Sequence, residues 1–130
     1  MSDYGIQQRL DIGYDAAVER VTQTLKDEGF GVLTTIDVKG TLKAKIGVDF
    51  KRYVILGACN PRLAYQALTA ENDVGLLLPC NVVVYETESG GSVVAAIDPE
   101  AMLSVTGRTD LKPLAEQVRE KLARAIRNCA

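Results

Sequence analysis

Apolar residues recur at helical spacing near both ends of the chain. Over residues 14–28 they return every three to four positions, and Gly29 follows as a stop signal. Asp15 favours the positive N-terminal end of this first helix. Residues 110–128 carry a second stripe of the same period, with charged side chains between the apolar ones. The pattern therefore predicts one long helix near the start of the chain and one at its end.

Between these helices, short β-branched and apolar runs are bounded by glycine and polar turn residues, which is typical of strands. The segment Glu88-Ser89-Gly90-Gly91 separates the last two runs and is a strong hairpin signal. Six strands are predicted, over residues 6–12, 30–37, 53–58, 74–78, 81–87 and 92–97.

Three shorter helical segments are predicted between the strands. The clearest follows Asn60 and Pro61, because asparagine is a good N-cap and proline suits the first helical position. The first of the three contains a glycine, and a glycine inside a helix destabilises it relative to alanine. The segments cover residues 38–46, 61–70 and 98–103.

The order of these elements favours an α+β fold over a doubly wound one. Regular strand–helix alternation is missing, and so are the GxGxxG and P-loop patterns of nucleotide-binding folds. We expect an antiparallel sheet with the two main helices on one face, plus short extra helices. No linker interrupts the pattern, so a single domain is expected over residues 1–130, with an ordered core of about residues 5–128.

Charge and composition limit the classes of binding partner that can be expected. The formal net charge is −2, and the basic residues near the end of the sequence are interleaved with acidic ones. We therefore expect no positively charged surface that could bind the phosphates of a nucleic acid, and no nucleic-acid partner. No apolar run approaches the roughly 18 to 20 residues of a membrane span, and the first residues lack a signal-peptide layout. A cytoplasmic protein without membrane association is therefore expected.

Histidine is absent, which excludes Ser–His, Cys–His and histidine-ligated zinc chemistry within one chain. Three cysteines without a secretory signal indicate thiols rather than a disulfide framework. Cys129 is next to the last residue and is expected to be frayed and incidental.

The other two cysteines stand in unusual segments, Leu-Gly-Ala-Cys-Asn-Pro at 56–61 and Leu-Leu-Pro-Cys-Asn at 77–81. Cys59 falls where a predicted strand meets a helix, where free backbone N–H groups favour a thiolate, and it is the candidate catalytic nucleophile. The alternative is a small buried hydrophobe. Cys80 follows Pro79, at a bulge or corner. Their spacing differs from CxxC motifs, so only the fold could make them a metal or redox pair.

Four polar residues near these cysteines complete the candidate ligand-binding set. Asn60 and Asn81 each follow a cysteine and could cap the backbone or face a pocket. Arg62 and Glu86 are the nearest charged candidates, with a surface position as the alternative for both. The whole set is Cys59, Asn60, Arg62, Cys80, Asn81 and Glu86, with Cys59 and Cys80 also candidate ligands for a metal.

The segments Tyr-Val-Ile-Leu-Gly-Ala-Cys-Asn-Pro at 53–61 and Gly-Leu-Leu-Leu-Pro-Cys-Asn-Val-Val-Val-Tyr-Glu at 75–86 resemble the uncharacterised bacterial and archaeal family called "domain of unknown function 302". The resemblance runs from about Gly5 to the C-terminal helix. It implies a TATA-binding-protein-like α+β sheet, usually assembled as a homodimer, and no established activity. It does not imply DNA binding, because this acidic chain lacks a basic sheet surface.

Three functions follow as alternatives. The first is a homodimeric binding module with a pocket near Cys59 and Cys80 for a small ligand, a soft metal ion or a sulfur species. The second is a thiol-dependent enzyme or redox protein that uses Cys59. The third is a structural or interaction dimer with inert cysteines. We favour them in that order, and expect no resident cofactor beyond a possible soft metal.

Overall fold

The computed structural model describes residues 2–130, and in this part of the chain five antiparallel strands form one sheet. The strands are β1 (Gly5–Leu10), β2 (Gly31–Asp37), β3 (Tyr53–Cys59), β4 (Cys80–Glu86) and β5 (Ser92–Ile97). The helices are α1 (Tyr14–Asp27), α2 (Val38–Ile46), α3 (Pro61–Ala70), α4 (Pro99–Leu103) and α5 (Lys112–Arg127). The strand order is β1-β5-β4-β3-β2, so β1 and β2 are the two edges.

Alternate residues of the central strands are buried, which shows that one face of the sheet is covered. α1 and α5 pack against each other and cover this face, α1 over β4 and β5 and α5 over β1 and β5. The expected α+β fold, with two main helices on one face of an antiparallel sheet, is confirmed. The buried strand residues of this hydrophobic core are Leu10, Val54, Leu56, Ala58, Cys80, Val82, Val84, Val94 and Ala96.

Most predicted elements lie within two residues of their observed bounds. α2, α3 and β5 begin and end at the predicted residues. Asp37 caps α2 by accepting a hydrogen bond from the Gly40 N–H at 3.1 Å, which offsets the cost of a glycine inside that helix. Within residues 2–130, no helix combines the length and the apolar content needed to cross a bilayer.

The predicted strand at residues 74–78 is wrong. A 3₁₀ helix occupies Asn72–Leu77 instead, which reduces six predicted strands to five. Val74 is buried and Leu77, three positions later, packs against the core, while Leu76 between them is 86% exposed. This three-residue repeat suits a 3₁₀ helix, and a short apolar run does not distinguish it from a strand by composition.

Cys129 is buried, so its predicted frayed position is also wrong. Its Sγ donates to the Ala125 carbonyl oxygen at 3.3 Å and lies 3.4 Å from Thr24 Oγ1. The Arg20 guanidinium donates to the Cys129 carbonyl oxygen at 3.0 Å. Burial raises the pKa of the Cys129 thiol. The end of the chain is therefore fastened to α1, a long-range contact that sequence position does not reveal.

Candidate functional site

The two cysteine segments meet where β3 ends and β4 begins. Ala58 pairs with Cys80 in the antiparallel register, and Gly57 pairs with Asn81. Cys59 is therefore one position beyond the residue opposite Cys80. Sheet pairing, rather than proximity in sequence, makes the two cysteines neighbours.

A cavity of about 310 Å³ lies at this junction, and both Cys59 and Cys80 line it. α3 forms one wall, and α4 and α5 form another. Aliphatic and aromatic side chains dominate the lining, and the buried ones among them are Phe30, Ala58, Leu63, Ala67, Pro99, Leu103, Leu114 and Val118.

Cys80 is held in its protonated form. Its side chain is buried, and burial together with the neighbouring Cys59 thiol raises the pKa of Cys80 to about 11. A buried thiol without a cationic partner cannot offset the loss of solvation of its thiolate. Cys80 is therefore an uncharged part of the cavity wall near neutral pH.

Cys59 is half-buried and stands two residues before α3. The first turn of that helix is already supplied with acceptors, because the Leu63 N–H donates to Asn60 Oδ1 at 3.3 Å and the Ala64 N–H to the Asn60 carbonyl oxygen at 2.9 Å. Pro61 has no N–H. Of the first four residues of α3, Arg62 therefore has the one backbone N–H that these bonds leave unengaged.

Asn60 also contacts the end of α1. A Cβ placed on Gly29 would lie 2.9 Å from the side-chain nitrogen of Asn60, so the amide lies directly on the glycine backbone. Gly29 has a φ of +86°, a conformation that favours glycine where a helix terminates. Asn60 thus caps α3, as the sequence predicts, and also packs α3 against the α1 terminus.

The family model for the domain of unknown function DUF302 matches residues 6–129. The chain belongs to the DUF302 family. The crystal structure of the uncharacterized conserved protein DUF302 from Bacillus stearothermophilus is similar to it, with a TM-score of 0.91 and 32% sequence identity over 99% of this chain and 100% of that one. A comparison with curated proteins finds no match.

Membership of DUF302 supports the fold and leaves the activity open, because the family has no described function. The TATA-binding-protein-like label stays a prediction. The site of this DUF302 chain therefore has to be interpreted from its own geometry.

Three of the candidate residues of the DUF302 chain are not among those that line the cavity. Arg62 is exposed on α3, and Asn81 is exposed on the sheet face opposite Cys80, because successive strand residues point to opposite faces. Glu86 is at the far end of β4, where the Arg52 backbone N–H donates to its Oε1 at 3.1 Å and Arg52 Nε donates to its Oε2 at 3.0 Å, and both bonds lower the pKa of the carboxyl group. Any binding role for these three residues stays a prediction.

Several cavity residues carried no signal that sequence reasoning used. Phe30 lies in the turn before β2, Met102 and Leu103 in α4, and Leu114 and Val118 in α5, and only the tertiary fold brings these three segments together. From the sequence alone, each of them is predicted to be an ordinary core residue. A binding role is therefore invisible until the helices are placed.

A metal site at the two cysteines also stays a prediction. Among residues 2–130, no cluster of three or more cysteine, aspartate or glutamate side chains is positioned to hold a metal ion. The sulfur ligands that the cavity offers are two thiols, one of them with a pKa of about 11, and the thioether of Met102.

Proposed function

We propose that this DUF302 chain is a small homodimeric binding module whose ligand enters the cavity beside Cys59 and Cys80. The observation that carries the proposal is the cavity itself, whose walls come from both cysteine segments and from three helices. Its volume of about 310 Å³ falls at the lower end of the range typical of small-molecule sites.

Of the ligand classes expected from the sequence, a small organic molecule suits the lining best. Most of the wall is hydrocarbon, and hydrocarbon walls give a metal ion no ligands. A reaction that used both thiols would require a Cys80 thiolate, which a pKa of about 11 disfavours near neutral pH. The observations therefore favour binding over a reaction that uses both thiols.

The homodimer is supported by α2. Val38, Leu42 and Ile46 follow one another at four-residue spacing and so share a face of the helix. None of the nine residues of α2 is buried, and Ile46 is 67% exposed. Val38 and Leu42 are half-buried, so the chain covers this apolar face only in part. A partly covered apolar helix face is typical of an interface, and a second copy would complete its burial symmetrically.

The adjoining segments extend this apolar surface. Leu33 and Ile36 of β2 are 67% and 48% exposed, and Val48 and Phe50 after α2 are 42% and 38% exposed. β2 is an edge strand, so a partner placed there would also protect unpaired backbone groups.

Ligand entry is tested by methyl NMR with a fragment library that contains acids, bases and neutral molecules. We expect bound fragments to shift the methyl resonances of Leu63, Leu103 and Val118. Ala64→Leu narrows the cavity and should abolish these shifts, whereas Ala101→Leu, on α4 and outside the lining, should preserve them. A library without a single fragment that shifts these methyl groups would refute the binding function.

A further inference from the structure

We infer that the cavity selects an uncharged, largely hydrocarbon molecule with about the volume of two fused aromatic rings. This inference rests on the proposed binding function and specifies the chemical class of the ligand. It depends on three properties of the cavity: its charge, its hydrogen-bonding groups and its size.

No charged side chain belongs to the lining described for this cavity. The ionisable groups in the wall are the two thiols, and Cys80 stays protonated near neutral pH. The nearest charged candidate, Arg62, is exposed on α3 and lies outside the lining. A carboxylate, phosphate or ammonium group bound inside the cavity would therefore lose its hydration without gaining a counter-charge, which weakens binding.

The start of α3 does not provide an anion site either. A helix N-terminus binds anions through free backbone N–H groups. Here Pro61 lacks one, and the N–H groups of Leu63 and Ala64 donate to Asn60. Among the first four residues of α3, these bonds leave the backbone N–H of Arg62 as the one donor not engaged, whereas anion sites at helix N-termini use several such groups.

The size of the cavity limits the ligand further. An engineered apolar cavity of roughly 150 Å³ binds benzene. The present cavity, at about 310 Å³, has twice that volume, which corresponds to two fused rings. Leu33 and Leu68 line the cavity and are 67% and 40% exposed, so its opening is apolar as well.

A matched pair of probes tests this class. Naphthalene and 2-naphthoate share the same two rings and differ by a carboxylate that is ionised at pH 7. We expect naphthalene to shift the methyl resonances of Leu63, Leu103 and Val118 and to bind at least about tenfold more tightly than 2-naphthoate. 2-Naphthylmethylammonium should bind as weakly as the acid, and binding as tight as that of naphthalene would overturn the inference.

The cavity variant locates the binding. Ala64→Leu should weaken naphthalene binding at least about tenfold, while Ala101→Leu should leave it unchanged. Equal or tighter binding of 2-naphthoate would overturn the inference, and so would naphthalene binding that Ala64→Leu does not weaken. If other fragments shift the cavity methyl groups and naphthalene does not, the binding function stands and the inferred ligand class is wrong. If nothing shifts them, both fail.

Discussion

Gly57 and Pro79 pack so closely that no methyl group fits between them: a Cβ on Gly57 would lie 2.8 Å from Cγ of Pro79. The Thr34 hydroxyl oxygen occupies the same space. This contact explains why a glycine stands inside a buried strand, where it otherwise weakens the sheet. It also joins the two cysteine segments, because each residue belongs to one of them.

Replacing this glycine should therefore destabilise the fold. We expect Gly57→Ala to lower the free energy of unfolding by about 1–3 kcal/mol, because Pro79 and Thr34 must move to admit the methyl group. Gly31→Ala is the matched control, since Gly31 is also in a strand but a Cβ there meets nothing within 4 Å. Urea unfolding measures both variants. Equal stabilities would show that the contact is easily relaxed.

The stability of the protein should fall with rising pH because of Cys80. Its pKa is about 11 in the folded protein against 9.0 for an ordinary thiol. A raised pKa contributes stability that is complete below pH 9 and is lost as the pH rises to 11, amounting to about 3 kcal/mol over these two units. The wild type should lose this much more than Cys80→Ala across that range in urea unfolding. Parallel pH profiles would contradict the assignment.

The buried end of the chain makes a further prediction. Cys129→Asp should destabilise the protein by about 3 kcal/mol or more, because it places a carboxylate in a fully buried position. Ala130→Asp, one residue later at an exposed position, should change the stability by less than about 0.5 kcal/mol. Thermal or urea unfolding distinguishes them. A small effect of both substitutions would support a frayed terminus.

Self-association through α2 is tested with a charge on its apolar face. We expect the wild type at micromolar concentration to have twice the mass of the 14.0 kDa chain. Ile46→Lys should return it to 14.0 kDa, since a lysine there would be desolvated in a symmetric interface. Val105→Lys is the control, because Val105 is 75% exposed but belongs to another part of the chain. Light scattering that finds a monomeric wild type rejects the dimer.

Local signals in the sequence were sufficient for most of the fold. α3 could be predicted to its end residues because Asn60 and Pro61 define its start by chemistry within a few positions. The 3₁₀ helix at Asn72–Leu77 could not, because its conformation depends on which of several apolar residues the rest of the molecule buries. Cys129 shows the same limit at the chain terminus.

The candidate site was predictable only in part. Cys59, Asn60 and Cys80 line one cavity, yet their proximity comes from the register of β3 with β4, which the sequence does not specify. The separation of Asn81 from the cavity follows from strand alternation, a rule that sequence reasoning could have applied. Nothing in the local sequence of α4 and α5 predicts that these two helices form a wall of the cavity.

The position of β1 has a consequence for folding during synthesis. β1 precedes the other four strands in the chain, but within residues 2–130 its one neighbour in the sheet is β5, and Gly5 pairs with Ile97. The amino-terminal strand must therefore wait until most of the chain has left the ribosome before it can pair. Truncated chains that stop before β5 leave β1 as an unpaired strand, and chains that lack β1 leave the edge of β5 open. Aggregation of incomplete molecules should begin at these unpaired strands.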